Sequence, residues 1–229
     1  MPWFLFSLQS PEPSYLEFPR PSLVGDVVSE DTLVDWICRC TPPDFRASVR
    51  ESGRFMYRGA SDEELQRMIQ QPAPDLLMPQ TYGSSAAAWA YFECLEERLN
   101  GVFPAGNGLT VAAKPSTGHI ATSNPKEAGK WGTTVSVWPL GTQWSYVWPK
   151  NRETFYSVET ASGKASCVDD ELMIESDLVQ ALQQTREIMF ASSGLDRVET
   201  SAFLAISHAH DESLRRKLEE VNYGLPIRR

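Results

Sequence analysis

Residues 133–148, TTVSVWPLGTQWSYVW, decide the fold class of this 229-residue chain. They contain two short runs rich in β-branched and aromatic residues, 133–138 and 144–148, separated by a proline and a glycine, which is typical of strands. Comparable runs, split by glycine, proline and polar turns, predict four more strands: 109–113, 118–122, 154–159 and 172–174. The middle of the chain is therefore predicted to be rich in β-structure.

Helices are predicted on both sides of this β-rich middle. Caps, proline stops and apolar spacing indicate three helices before it: from Ser29 to Pro42, from Ser61 to Pro72, and from about Ser85 to Leu99. Three more are predicted after it: Asp177 to about Phe190, Asp196 to Ile206, and Asp211 to Val221. One helix interrupts the strands at Asn124, a natural N-cap followed by Pro125 at the first helical position. This order indicates an α+β fold and not a regular βαβ alternation.

The sequence predicts one domain, residues 29–229, after an irregular proline-rich arm, residues 1–28. Hydrophobic residues make up 41% of the chain, which is enough for a sizeable core. Within the domain, the motif-bearing core is expected at about 54–176 and a helical tail at 177–229.

The net charge of −9 and the pI near 4.9 argue against a partner that is nucleic acid. The apolar stretches are too short to span a membrane, and the N-terminus lacks the basic start and long apolar core of a signal peptide. The four cysteines give no disulfide framework, so reduced thiols are expected. We therefore expect a cytoplasmic protein, with delivery into a host cytosol as the alternative.

The first candidate site segment is Tyr57-Arg58-Gly59, which closes the alternating run 54–58. Side chains of period two predict a half-buried strand, with Arg58 at its end beside a glycine whose backbone is open to close approach. A guanidinium in that position presents paired N–H donors whose geometry matches the oxygens of a phosphate.

The second segment, residues 119–123, predicts a strand that runs into the helix capped by Asn124. The hydroxyls of Thr122 and Ser123 suit hydrogen bonds to an amide or a ribose. The alternative is that both hydroxyls only help to start the helix.

The third segment, residues 167–174, begins with acidic residues and continues into an apolar run. Asp169 and Glu171 share one face of an extended backbone, and paired carboxylates can divide the work of holding a hydroxyl and accepting a proton. The alternative is a solvated acidic turn before a strand.

Together, the three segments resemble the ADP-ribosyltransferase family, in its Arg-Ser-Glu class of toxins and ecto-enzymes. That family has an Arg-Gly strand, a Ser-Thr-Ser strand followed by a helix, and an acidic-x-Glu motif entering an apolar strand, in this order. The resemblance covers about half of the chain. It implies a split β-sheet core with N-terminal and C-terminal helices, and NAD as a co-substrate without a metal.

The resemblance also implies roles for individual residues. Arg58, with Gly59, would bind the phosphates of NAD, and Thr122 and Ser123 would position the nicotinamide end. Glu171 would hold the ribose 2′-hydroxyl, and Asp169 would engage the acceptor nucleophile. Tyr57 and Trp131 are placed where an aromatic ring could stack on nicotinamide, but core packing is the favoured role for each.

The implied activity is mono-ADP-ribosylation of a protein side chain, such as arginine, by a toxin-like effector, with NAD hydrolysis as a side activity. Two departures from the pattern bear on this. Ala121 replaces the first serine of Ser-Thr-Ser, and Asp169 is one methylene shorter than the family's glutamate. An inactive member that serves as a protein-interaction module, or an unrelated small α+β binding domain, is therefore the alternative.

The histidines are candidates for another site. His208, His210 and Asp211 have the residue types of a metal site, but a polar loop before a helix is the favoured interpretation. His119 is either a neighbour of the proposed site or a structural histidine.

Overall fold

The structure is a computed structural model, and it describes residues 29–61, 75–77, 119–141, 144–155, 173–192 and 203–226, with backbone alone for 75–77, 191 and 192. The predicted arm 1–28 lies outside the described residues. The same holds for the helix expected at about 85–99, for the strand at 109–113, and for all of the helix after Ser61 and most of the strand at 154–159.

Two helices open the described chain. Helix α1 (Glu30–Cys40) begins as predicted, because the Ser29 side chain caps it by accepting from the amide of Thr32. Helix α2 (Pro43–Ser52) was not predicted. Pro42 and Pro43 were interpreted as a stop, but proline is also favoured at a first helical position, and here it starts the second helix.

The strands form one antiparallel sheet. Seven of the strands described lie in the order β2-β8-β4-β1-β3-β7-β5, and the two-residue β6 pairs with β5 at the outer edge. Their bounds are β1 (Tyr57–Ala60), β2 (Asp75–Leu77), β3 (His119–Thr122), β4 (Thr133–Pro139), β5 (Trp144–Pro149), β6 (Ile174–Glu175), β7 (Glu187–Ser192) and β8 (Phe203–Ser207). The α+β class and the strands within 118–122, 133–138 and 144–148 are confirmed.

The sheet divides into two halves between β1 and β3. A single residue pair, Tyr57 with Thr122, joins these two strands, whereas β1 and β4 share four pairs. The ring of His119 on β3 lies 4.8 Å from that of Phe203 on β8. In a flat sheet these strands would be about 14 Å apart. The two halves therefore fold towards each other, and side chains from both meet in one core.

The predicted helical tail is only partly helical. Helix α4 (Leu178–Gln183) is capped by Asp177 as expected, but it ends before Thr185, whose φ is 55°. The residues that follow form strand β7, and residues 203–206 lie in strand β8. The prediction of helices to Phe190 and over 203–206 is wrong. An apolar run that is buried on both faces has no periodicity that separates helix from strand.

The first and last helices pack together. Helix α5 (Asp211–Glu220) is confirmed, with Leu214 and Leu218 buried, although Val221 is exposed. Lys217 of α5 pairs with Asp31 of α1 at 2.5 Å. Among the residues described, no helix has both the length and the apolar composition that crossing a membrane requires.

A short segment links β3 to β4. Helix α3 (Pro125–Ala128) is capped by Asn124 as predicted, and one turn of 3₁₀ helix, Gly129–Trp131, follows it. Gly132 then has a φ of 137°, and a Cβ atom there would lie 2.1 Å from the carbonyl oxygen of Ala60. The segment 125–132 is therefore held close against β1.

Gly132→Ala tests this close contact. We expect it to lower the free energy of unfolding by about 3 kcal/mol or more, because backbone strain of about 1–3 kcal/mol adds to the clash with Ala60. Gly141→Ala is the matched control, since Gly141 also has a positive φ of 91° but has no atom of the described residues within 4 Å of its Cβ position. Urea denaturation measures both. Equal losses in the two variants would contradict the close approach.

Candidate functional site

Arg58 lies in the interior angle between the two halves of the sheet. It is the second residue of β1 and not the end of a strand, since the strand begins at Tyr57. The expected alternation over 54–58 is wrong because Phe55, Met56 and Tyr57 are all buried. The Arg58 guanidinium is half-buried, and its Nη1 lies 3.3 Å from Nδ1 of His119 on β3. The Arg58 side chain, which is the candidate for phosphate binding, therefore extends from β1 towards β3, across the division of the sheet.

Tyr57 faces the opposite side of β1. It is buried, and its hydroxyl donates to Asp211 Oδ2 at 2.6 Å. Burial, together with Asp211, raises the pKa of Tyr57 far above its ordinary value, so the hydroxyl stays protonated and keeps donating. The ring also packs edge-on against His208 at 5.4 Å. These contacts give Tyr57 a packing role, which was the alternative considered from the sequence.

Gly59 lies against the segment that follows β3. A Cβ atom at Gly59 would be 2.4 Å from the carbonyl oxygen of Ala128 and 2.8 Å from Cβ of Trp131. The space that Gly59 leaves open is therefore occupied by the backbone of the segment 128–131. The side chain of Trp131 is 80% exposed beside it. This exposed ring is free of core packing and can stack on a planar ligand.

The hydroxyls at the end of β3 have protein partners. The Thr122 Oγ1 accepts from the amide of Asn124 at 3.2 Å and so helps to start α3. Ser123 is buried, and its hydroxyl donates to the carbonyl oxygen of Leu182 in α4 at 2.5 Å. Both contacts correspond to the structural alternative considered from the sequence. Ala121 is also buried, in the core.

The acidic pair of the third segment, Asp169 and Glu171, lies outside the described residues. The described chain resumes at Met173, which is exposed, and continues into β6. Of the strand predicted at 172–174, residue 172 lies outside the described residues, Met173 is not in a strand, and Ile174 begins β6. It pairs with β5 at the sheet edge, and two strands, β5 and β7, separate it from β3.

Glu187 is a further acidic residue that the sequence did not single out. It opens β7, the strand that neighbours β3, and it pairs directly with Thr122. Its carboxylate accepts from the amide of Phe155 at 2.6 Å. Burial raises the pKa of Glu187 to about 6. The residue was missed because 177–190 was predicted as helix, and the available signal was its position before the buried run Ile188-Met189-Phe190.

Tyr57, Thr122 and Glu187 form one row across three neighbouring strands. Tyr57 pairs with Thr122, and Thr122 pairs with Glu187. Side chains paired across antiparallel strands lie on the same face of a sheet. The structure therefore brings the strands of the first two sequence segments together, and it adds a carboxyl with a pKa of about 6 on the face of the sheet opposite to Arg58. Such perturbed carboxyls are concentrated at functional sites.

The histidine loop is satisfied internally. His208 Nδ1 lies 2.5 Å from Asp211 Oδ2, and His210 Nδ1 lies 3.5 Å from Glu30. In the part of the chain that the structure describes, no group of three or more His, Cys, Asp and Glu side chains is arranged to hold a metal ion.

Comparison with known proteins gives no match: no protein-family model fits the sequence, and neither the curated proteins nor the solved structures contain a significantly similar chain. The functional interpretation rests on the three sequence segments and on the arrangement of the first two.

Glu187→Gln tests the raised pKa of the partly buried Glu187 carboxyl. The folded protein holds this proton more tightly than the unfolded chain does, so its contribution to stability falls as pH rises from about 4.5 through about 6. The glutamine keeps an oxygen for the Phe155 amide but carries no charge. We expect the variant to be more stable than wild type by up to ~2 kcal/mol above pH 7, with the difference vanishing below pH 4.5.

Urea denaturation between pH 4 and pH 8 measures this difference. Glu153→Gln is the charge-matched control, because it removes the same charge from an exposed side chain. A Glu187→Gln variant that is less stable than wild type at pH 8 would contradict the raised pKa of Glu187.

Proposed function

We propose that this protein is an NAD-dependent mono-ADP-ribosyltransferase that modifies a protein side chain, with arginine as the leading acceptor type. The observation that carries the proposal is the Tyr57–Thr122 pair. It joins the Arg-Gly strand to the strand that resembles Ser-Thr-Ser, at the line where the sheet divides. A sheet whose halves fold towards each other also supports the split β-sheet core expected for this family.

Arg58 is assigned to the diphosphate of NAD. Its guanidinium is permanently charged and presents paired donors with the geometry of phosphate oxygens. In a protein of net charge −9, a half-buried arginine supplies the local positive charge that an anionic co-substrate needs. Trp131, whose ring is exposed, is the better of the two aromatic candidates for nicotinamide, because Tyr57 is buried, but it lies on the Gly59 face of β1, opposite to Arg58.

The reaction is substitution at the nicotinamide ribose. The bond between ribose C1′ and the nicotinamide nitrogen breaks, and its electron pair leaves with nicotinamide. A nitrogen of the acceptor side chain then forms the new bond to C1′ and loses a proton. Water in place of the acceptor gives hydrolysis of NAD. A carboxylate close to the ribose stabilises the positive charge that develops on it.

Two glutamates are candidates for that carboxylate. The motif resemblance assigns Glu171, with Asp169 towards the acceptor. Glu187 is the weaker second candidate: it lies beside Thr122 on the direct neighbour of β3, but on the Tyr57 face of the sheet, opposite to the face that carries Arg58. A carboxyl with a pKa of about 6 is mostly ionised at pH 7, as this role requires.

An inactive protein-interaction module is the second candidate function. Ala121 has no hydroxyl, and the Ser123 hydroxyl is committed to Leu182. Neither position therefore supplies the serine oxygen that the family uses to support its glutamate. This observation favours NAD binding without transfer. An unrelated α+β binding domain remains the alternative if NAD does not bind at all.

Release of nicotinamide from NAD tests the proposal. We expect wild type to release it, faster with a small guanidinium compound as acceptor, and Arg58→Ala to lose nearly all of the rate. Arg54→Ala is the matched control, since Arg54 is exposed four residues earlier on the same segment. Glu171→Gln and Glu187→Gln identify the acid, because loss of the stabilising carboxylate costs about 10²–10³ in rate.

The outcomes separate the candidates. NAD binding by titration without release, in wild type and with a cell lysate as acceptor, would contradict the enzyme and favour the module. Absence of NAD binding would contradict both. Equal rates of nicotinamide release in wild type and Arg58→Ala would contradict the assignment of Arg58 to the diphosphate of NAD.

A further inference from the structure

His119 occupies an unusual place for a histidine. It is 1% exposed, and its ring lies 5.2 Å from that of Phe190 and 4.8 Å from that of Phe203. Phe190 belongs to one half of the sheet and Phe203 to the other. The imidazole is therefore held between the halves, and its position is fixed by packing on both sides.

The contact with Arg58 fixes the protonation of this ring. A guanidinium has only donors, so an Nδ1 atom 3.3 Å from Arg58 Nη1 must act as the acceptor. His119 is then neutral and carries its proton on Nε2. A hydrogen bond from a charged donor contributes more than one between neutral groups, and it restricts the rotation of a long side chain.

We infer that His119 is a positioning residue, which holds the Arg58 guanidinium across the division of the sheet in the orientation that binds a diphosphate. The inference rests on the proposed function. Arg58 is attached to β1 and His119 to β3, and these strands share one residue pair. The contact therefore also fixes the two half-sheets relative to each other beside the proposed ligand.

A purely structural histidine would fill the same space without serving the arginine. The two roles differ in what they require of the ring. Packing between Phe190 and Phe203 requires only a planar ring, which phenylalanine supplies. Positioning of Arg58 requires an acceptor at Nδ1, which phenylalanine lacks and which asparagine places close to the same point through its Oδ1.

Isothermal titration with NAD and, separately, with inorganic pyrophosphate distinguishes these roles. The variants are His119→Phe, His119→Asn, His119→Gln and Arg58→Ala, each first checked for cooperative thermal unfolding. We expect His119→Phe to weaken the binding of both ligands by about tenfold or more, as loss of a charge-assisted hydrogen bond implies. His119→Asn should bind within about threefold of wild type, whereas His119→Gln, whose oxygen lies one bond further out, should resemble His119→Phe.

The double variant Arg58→Ala, His119→Phe separates a positioning role of His119 from a packing role. In the Arg58→Ala background, His119→Phe should have no further effect on binding, because its contribution acts through Arg58. Wild-type affinity in His119→Phe, additive losses in the double variant, or equal losses in His119→Asn and His119→Phe would each overturn the inference.

Failure of the proposed function gives a different pattern. Wild type that binds pyrophosphate through Arg58 and His119 but does not bind NAD would overturn the proposed function and leave the positioning role standing. Binding of NAD that is unaffected by His119→Phe would overturn the positioning role of His119 and leave the proposed function standing. Binding of neither ligand would overturn both.

Discussion

The residue pair between Tyr57 and Thr122 is the constraint on which the rest of the structure depends. It is the one residue pair between β1 and β3, and it sets the register between the strand that carries Arg58 and the strand that carries Thr122. A short connection of this kind needs support from side chains. The buried rings of His119, Phe190 and Phe203 supply it by filling the angle between the halves.

The two faces of β1 differ in what they contact. Tyr57 and Gly59 face α5 and the α3 segment, where a hydrogen bond to Asp211 and a close backbone contact fix the strand. Arg58 faces the other way, into the angle of the sheet. A strand anchored on one face can hold a charged side chain on the other with little loss of entropy on ligand binding, which favours affinity.

Much of the local structure could be predicted from the sequence, because caps and short-range patterns determine it. Ser29, Asn124 and Asp177 each begin a helix as their residue types imply. The runs within 133–138 and 144–148 are strands as predicted. The segments of Arg58 and Thr122 were predicted to contribute to one site, and their strands pair through Tyr57 and Thr122.

The errors arose where burial hides periodicity or where pairing is non-local. The run Ile188-Met189-Phe190 is buried on both faces, so its pattern does not separate a helix from a central strand. For that reason β7 was predicted as helix, and Glu187, beside Thr122, was overlooked. Phe55, Met56 and Tyr57 have the same property, and they obscured where β1 begins.

The central claim is that the diphosphate of NAD binds at Arg58, in the angle between the half-sheets. A crystal structure of the protein grown with saturating NAD tests it most directly. The account predicts phosphate oxygens within hydrogen-bond distance of the Arg58 guanidinium, with the Arg58–His119 contact retained. NAD bound elsewhere, or an Arg58 that contacts only protein in a crystal containing bound NAD, would contradict it.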